Sequence, residues 1–195
     1  MNIIINNLCK SYGETVVLDH LDTVIAENRI TCLMGPSGVG KTTLMNILMG
    51  FEEADSGVIE NIPTKKSAVF QENRLCESFS ALTNVKIVND QLTDNIICRH
   101  LEMVGLGESI NQKVCTLSGG MKRRVALVRA VLAEKDILFL DEPFKGLDED
   151  TRKTVIEYLL ANTADTTVVM VTHDIEEVQM LGADVLYMKD GRISR

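Results

Sequence analysis

An α/β fold built on a mainly parallel sheet follows from two features of this sequence. Short, wholly apolar runs such as Ile137–Leu140 and Val168–Val171 have no polar face, as expected of strands covered on both sides. Between them lie stretches with apolar residues at spacings of three and four, the mark of helices packed on one face. Strands alternating with helices generate a parallel sheet.

The elements follow in order. Asn2–Leu8 and Val16–Ala26 are β-like, with Ile3 and Ile5, then Val16, Leu18 and Val24, around a turn signal at Tyr12-Gly13. Arg29–Met34 is a short apolar strand that stops at Gly35. Lys41–Met49 is a helix with Leu44, Ile47 and Leu48 on one face and Gly50 as its stop. Residues 72–117 have helix-like spacing (Leu82, Val85, Ile87, Val88, then Ile96, Ile97, Leu101, Val104) without sharp boundaries. Beyond Ser118, the spacing of Val125, Val128 and Leu132 predicts a helix over Lys122–Glu134. Asp148 is placed to cap the next helix, with Glu149 and Asp150 in the first turn where the dipole favours them. Ile175–Leu181 is a further helix, and Asp184–Ile193 a closing hairpin around Lys189-Asp190-Gly191.

Composition narrows the function classes. At 195 residues the chain suits one well-buried domain. A net charge of -8 argues against a nucleic-acid surface, which needs an excess of Lys and Arg. Five scattered cysteines with no CxxC read as reduced thiols, as in a cytosolic protein. No basic-then-apolar leader opens the chain, and no apolar run nears the roughly 18 residues that span a bilayer. Any membrane link is expected to run through another protein.

The strongest local signal is Gly35-Pro36-Ser37-Gly38-Val39-Gly40-Lys41-Thr42, which satisfies GxxxxGK[ST]. Glycines let the backbone bend tightly, so that a row of N–H groups faces a phosphate. A helix starting near Lys41 points its positive dipole end at the same place. Lys41 then bridges the β- and γ-phosphates, and the Thr42 hydroxyl coordinates Mg²⁺. A strand before and a helix after are the context this P-loop requires. About a hundred residues later, Ile137–Leu140 runs into Asp141-Glu142-Pro143. A carboxylate at the C-terminal end of a buried parallel strand sits where open α/β sheets place ligands. There Asp141 can hold Mg²⁺ and Glu142 can polarise an attacking water. No NKxD guanine reader is present, which favours adenine.

Leu117-Ser118-Gly119-Gly120-Met121, lying between those two motifs, closely resembles the LSGGQ signature of ABC transporter ATPases. The rest of that family's ordered set is also present. Tyr12 is similar to the aromatic that stacks on adenine, Gln71 to the Q-loop glutamine, Gly146-Leu147-Asp148 to the D-loop and His173 to the switch histidine. Met121 and the segment Phe144–Asp148 are nearest the nitrate, sulfonate and taurine importer branch, with Lys145 unusual there. The arm between Gln71 and Leu117 is short for the family.

The resemblance implies a P-loop NTPase core. It also implies an N-terminal antiparallel β subdomain and a helical subdomain inserted at about 72–117, all within one nucleotide-binding domain over 1–195. It implies hydrolysis of ATP with Mg²⁺, in which Gly35, Pro36, Ser37, Gly38, Val39, Gly40, Lys41, Thr42 and Thr43 surround the phosphates. Thr42, Asp141 and Gln71 hold the metal, Glu142 acts on the water and His173 contacts the γ-phosphate. Ser118, Gly119 and Gly120 complete the site of an opposite subunit in a homodimer or a pair of nucleotide-binding subunits. Transmembrane permease subunits are the other partners, which places the chain on the cytoplasmic face of the membrane, without nucleic acid. An ABC ATPase working outside transport, a small-molecule P-loop kinase and an ATP-holding regulator are the alternatives.

Overall fold

The computed structural model describes residues 1–194. Strands β1 (Ile3–Tyr12) and β2 (Thr15–Ile25) form an antiparallel hairpin that buries Ile3, Ile5, Leu8, Leu18, Leu21 and Ile25 on one side. The two-residue rhythm of a half-covered sheet holds for Ile3 and Ile5 and is then broken by register shifts between Ile5 and Leu8 and again beyond Leu8, which widen the spacing of the buried side chains. A third strand, β4 (Ser56–Glu60), pairs with the other edge of β1 and sets Ile59 opposite Ile5. The sequence reading ended β1 at Leu8 and passed over β4 altogether. The reason is physical: Ser56, Gly57, Val58 and Glu60 are exposed, so no apolar alternation marks the segment.

The larger sheet has six strands in the order β5-β6-β7-β3-β8-β9. These are β3 (Ile30–Met34), β5 (Lys66–Val69), β6 (Ile137–Asp141), β7 (Thr167–Val171), β8 (Asp184–Lys189) and β9 (Arg192–Ser194). The first five in that spatial order run parallel, and β9 closes the edge antiparallel to β8, as the hairpin signal predicts. β5, also missed in the sequence, opens with Lys66 and buries only Val69 fully.

Each face of this sheet has its own core. Leu33, Phe139, Val169 and Val171 point toward helix α1 (Lys41–Met49) and the inner side of the small sheet. Cys32, Leu138, Leu140, Val168 and Met170 point the other way, to helices α4 (Gly119–Leu132) and α5 (Glu149–Asn162) and the arm. Pleat alternation along wholly apolar strands therefore serves two cores at once.

The arm carries α2 (Ala81–Lys86) and α3 (Asp94–Met103), capped by the Ser80 and Thr93 side chains, followed by two short 3-10 turns. Ile87 and Val88 fall just beyond α2 and are exposed, which is why their spacing blurred its boundary. Helix α4 begins at Gly119, three residues earlier than the apolar spacing predicts. Ser118 accepts the Met121 N–H at 3.3 Å and so starts the helix ahead of its apolar face. Helix α6 (Ile175–Leu181) is capped by Asp174 and stopped by Gly182 at φ 58°.

Candidate functional site

The phosphate loop leaves the end of β3 and enters α1 under tight steric control. A Cβ on Gly35 (φ 140°) would overlap the carbonyl oxygen of Met188 on β8. One on Gly40 (φ 104°) would lie 2.9 Å from the Val17 carbonyl oxygen on β2. Glycine is required at both for space as well as for φ. Lys41, the first residue of α1, is 6% exposed, and its Nζ donates to the carbonyl oxygens of Gly35 and Pro36, each at 2.7 Å. Burial pushes its ammonium down from the usual lysine range, while Glu142 and Asp141 act in the opposite direction.

Neighbouring strands deliver the rest, with Gln71 just past the end of β5 at the outer edge. In the order β6-β7-β3, the C-terminal end of β6 carries Asp141 and Glu142, that of β7 leads to Thr172 and His173, and that of β3 leads to the loop. Residues separated by more than a hundred positions thus meet at one sheet edge, where open α/β sheets bind ligands. A cavity of about 450 Å³ opens there. The loop and helix α1 line it with Ser37, Gly38, Gly40, Lys41, Thr42 and Thr43, and the facing wall has Gln71, Asp141, Glu142 and His173. Lys145 also reaches it.

Glu142 adopts φ 46°, a left-handed backbone held by its N–H bond to the Val171 carbonyl at 3.0 Å. Such a conformation costs a non-glycine residue on the order of 1–3 kcal/mol and persists only where surrounding contacts enforce it. Its carboxylate meets Lys145 Nζ at 2.6 Å through Oε2 and His173 Nε2 at 3.1 Å through Oε1. The Lys145 hydrogen bond holds this carboxyl below the ordinary glutamate range, against the effect of burial. Asp141 behaves oppositely. Burial pushes it up, the neighbouring Glu142 charge adds to the rise, and Arg123, Lys145 and Lys41 restrain it. A cation beside Asp141 would relieve that penalty. The hydroxyl of Thr42, the carboxylate of Asp141 and the amide oxygen of Gln71 are the hard oxygen donors that Mg²⁺ takes.

Other expected residues stand outside the cavity. Gly35 and Pro36 act through the carbonyls that hold Lys41, and the half-buried Val39 packs against Gly35. Tyr12, half exposed at the end of β1, bonds the Glu52 carboxylate and lies beside Thr43. Ser118 and Gly119 are exposed at the start of α4, and Gly120 sits against Leu147 and Gly146. Among the described residues, this chain's own cavity does not include Ser118, Gly119 or Gly120.

Sequence reasoning missed Arg123, taking it as one member of the basic run Met121–Arg124. It is 4% exposed, and its guanidinium bonds the backbone of both Gln71 and Glu142. The available signal was positional. Arg123 lies three and four residues before the core residues Ala126 and Leu127, and a cation on the buried face of a helix needs a partner.

A phosphate loop after a central strand, carboxylates at the end of a strand two places away and a helix dipole between them define a P-loop NTPase. The model of the ABC transporter family matches residues 18–145, and the chain belongs to that family, as an ABC-type ATPase. The chain is 36% identical to the bicarbonate transport ATP-binding protein CmpD of Synechococcus elongatus, over 97% of this chain and 76% of that protein. It is 38% identical to the aliphatic sulfonates import ATP-binding protein SsuB 1 of Pseudomonas syringae pv. tomato, over 97% and 71%. Among solved structures, the dimeric bacterial ABC transporter cassette MJ0796 superposes with a TM-score of 0.85 at 29% identity, covering 99% of this chain and 97% of that one.

Proposed function

We propose that this chain is the Mg²⁺-dependent ATP-hydrolysing subunit of an importer for a small solute, bound at the cytoplasmic face of the membrane through permease subunits. The observation that carries the reading is the single cavity in which the P-loop meets Gln71, Asp141, Glu142 and His173. The bicarbonate transport and aliphatic sulfonates import relatives, matched along nearly the whole chain, support the transport assignment. No helix among the described residues is long and apolar enough to cross a membrane. Exposed Phe51, Phe79, Ile87 and Val88 give the arm and its surroundings an apolar surface suited to that contact. The net charge of -8 also suits the basic cytoplasmic loops of membrane proteins.

In this reading, the loop amides and the α1 dipole seat the triphosphate, and Lys41 exchanges its two carbonyl partners for β- and γ-phosphate oxygens. Thr42, Asp141 and Gln71 would hold Mg²⁺, which would supply charge neutralisation to the transferring phosphoryl group. Glu142 orients the attacking water and accepts its proton, and His173 contacts the γ-phosphate. Tyr12 stacks on the adenine. Ser118, Gly119 and Gly120 close the site of the opposite subunit, so each chain supplies two half-sites to a dimer. Positioning and charge, rather than covalent chemistry, carry the rate.

The test pairs phosphate release from ATP with affinity capture of the full chain from detergent-solubilised membranes. Lys41→Ala should lose tight nucleotide binding and turnover, while wild type should retain a polytopic membrane protein. Wild-type nucleotide affinity in the variant would overturn the cradle, and capture without any membrane protein would overturn the transport role.

A further inference from the structure

We propose that Arg123 is a positioning residue for ATP hydrolysis, fixing the backbone at Gln71 and Glu142 relative to the helix that the signature serine begins. The inference rests on the reading of Glu142 as the residue that activates water. Arg123 is buried, and among the described residues it has no carboxylate partner in an ion pair. Its fork is instead spent on oxygens from two loops. Nη1 donates to the carbonyls of Phe70 and Gln71 (the latter at 3.4 Å) and to Asn73 Oδ1 at 3.3 Å. Nη2 donates to the carbonyls of Asp141 and Glu142 (the latter at 2.6 Å), and Nε to that of Pro143 at 3.2 Å.

Both loops start where neighbouring parallel strands run out. β5 ends at Val69 and β6 at Asp141, and their last ladder pair is Val69 with Leu140. Beyond that pair no ladder bonds tie residue 71 to residue 142, and one guanidinium takes over the job. A planar group with five fixed donors can span two chains in this way, whereas an ammonium on a flexible stem cannot.

Two consequences bear on chemistry. The two peptide groups flanking the Glu142 Cα are both held, the N–H by Val171 and the carbonyl by Arg123, which is what its left-handed φ requires. The direction of its carboxylate is therefore set partly by Arg123. The same side chain leaves α4 five residues after the Ser118 cap, about 7.5 Å along the helix axis. A rigid lever shorter than two turns thus joins the segment that meets the partner's nucleotide to the carboxylate that acts on this chain's own. A second arginine of α4, Arg129, bonds the carbonyls of Arg74 at 2.9 Å and Asn73 at 3.2 Å, so the helix grips the Gln71 loop at two points.

The test is steady-state kinetics and ATP titration on the full chain carrying Arg123→Lys, Arg123→Gln or Arg123→Ala, beside Glu142→Gln. Misplacing the reacting groups by about 1 Å costs on the order of 100-fold, so Arg123→Gln should lower kcat by ~10- to 100-fold with KM and ATP affinity within ~3-fold. Arg123→Lys should recover only part of that loss, and millimolar guanidinium should partly restore Arg123→Ala. A side chain that only packs would lower Tm and the folded fraction without separating kcat from KM. Wild-type kcat per folded molecule in Arg123→Lys and Arg123→Gln would overturn the inference, as would a change confined to KM. Should Arg123→Ala fail to fold, the lysine and glutamine variants decide alone. If Glu142→Gln is dead while Arg123→Lys is fully active, only the positioning role falls. If Glu142→Gln turns over normally, the reading of Glu142 falls first.

Discussion

At the residue scale, the site runs on charges placed where burial works against them, and Glu177 shows what that costs elsewhere. It is 8% exposed on α6, accepts a hydrogen bond from the Thr172 hydroxyl, and burial pushes its carboxyl up from the ordinary glutamate range. A carboxyl whose folded pKa is raised imposes no penalty below the unfolded value, where both states are protonated. It destabilises the fold as pH rises and the unfolded chain ionises first. Glu177→Gln, which keeps an acceptor for Thr172, should raise Tm at pH 8 and leave it unchanged at pH 4; an equal rise at both would contradict the assignment. The side chains of the proposed site were each singled out in the sequence because the chemistry proposed for them is tied to short motifs: Gly35–Thr42, Asp141-Glu142, Ser118–Gly120. Arg123 was not, because an arginine in a basic run on a helix is ordinarily solvated. Only the packing of α4 against the strand ends shows that its head is buried.

At the element scale, capping side chains fix where helices begin at this sheet edge. Asp148 accepts the Thr151 N–H at 3.0 Å and its hydroxyl at 2.8 Å, while Glu149 and Asp150 stand in the first turn of α5. Asp148→Ala should therefore lower the midpoint of urea unfolding and leave its slope unchanged. This cap was readable because Asp-Glu-Asp before an apolar period is a local signal. Strands β4 and β5 were unreadable for the converse reason. Ser56–Glu60 is an edge strand of mostly exposed residues, and Lys66–Val69 is short and opens with a lysine that bonds the Leu48 carbonyl. Their strand character comes from partners distant in sequence, β1 and β6, and pairing of that kind leaves little local trace.

At the scale of the whole molecule, the parallel sheet was legible from its apolar runs, but the assembly of the site was not. Spatial order β6-β7-β3 differs from chain order, and no spacing in the sequence says that His173 stands beside Glu142. Ser118 and Gly119 are exposed and outside their own chain's cavity, which is the surface the proposed dimer would use. With Glu142→Gln and Mg²⁺-ATP, light scattering should report a dimer, while turnover falls by roughly 100- to 10,000-fold, the usual contribution of a general base. A monomer under those conditions would rule out the shared site.

The closing hairpin bears on all of this from below. Its tip at Gly191 leaves no room for a side chain against the Val17 carbonyl, and the Gly191 carbonyl accepts the Asp19 N–H at 3.0 Å. Val17 in turn backs onto Gly40, while Met188 backs onto Gly35. The bend that receives the anion has no footing of its own; it rests on the chain's final pair of strands and on the hairpin those strands prop up. Damage to that distant corner should surface as weakened nucleotide grip before any residue of the crevice has been touched.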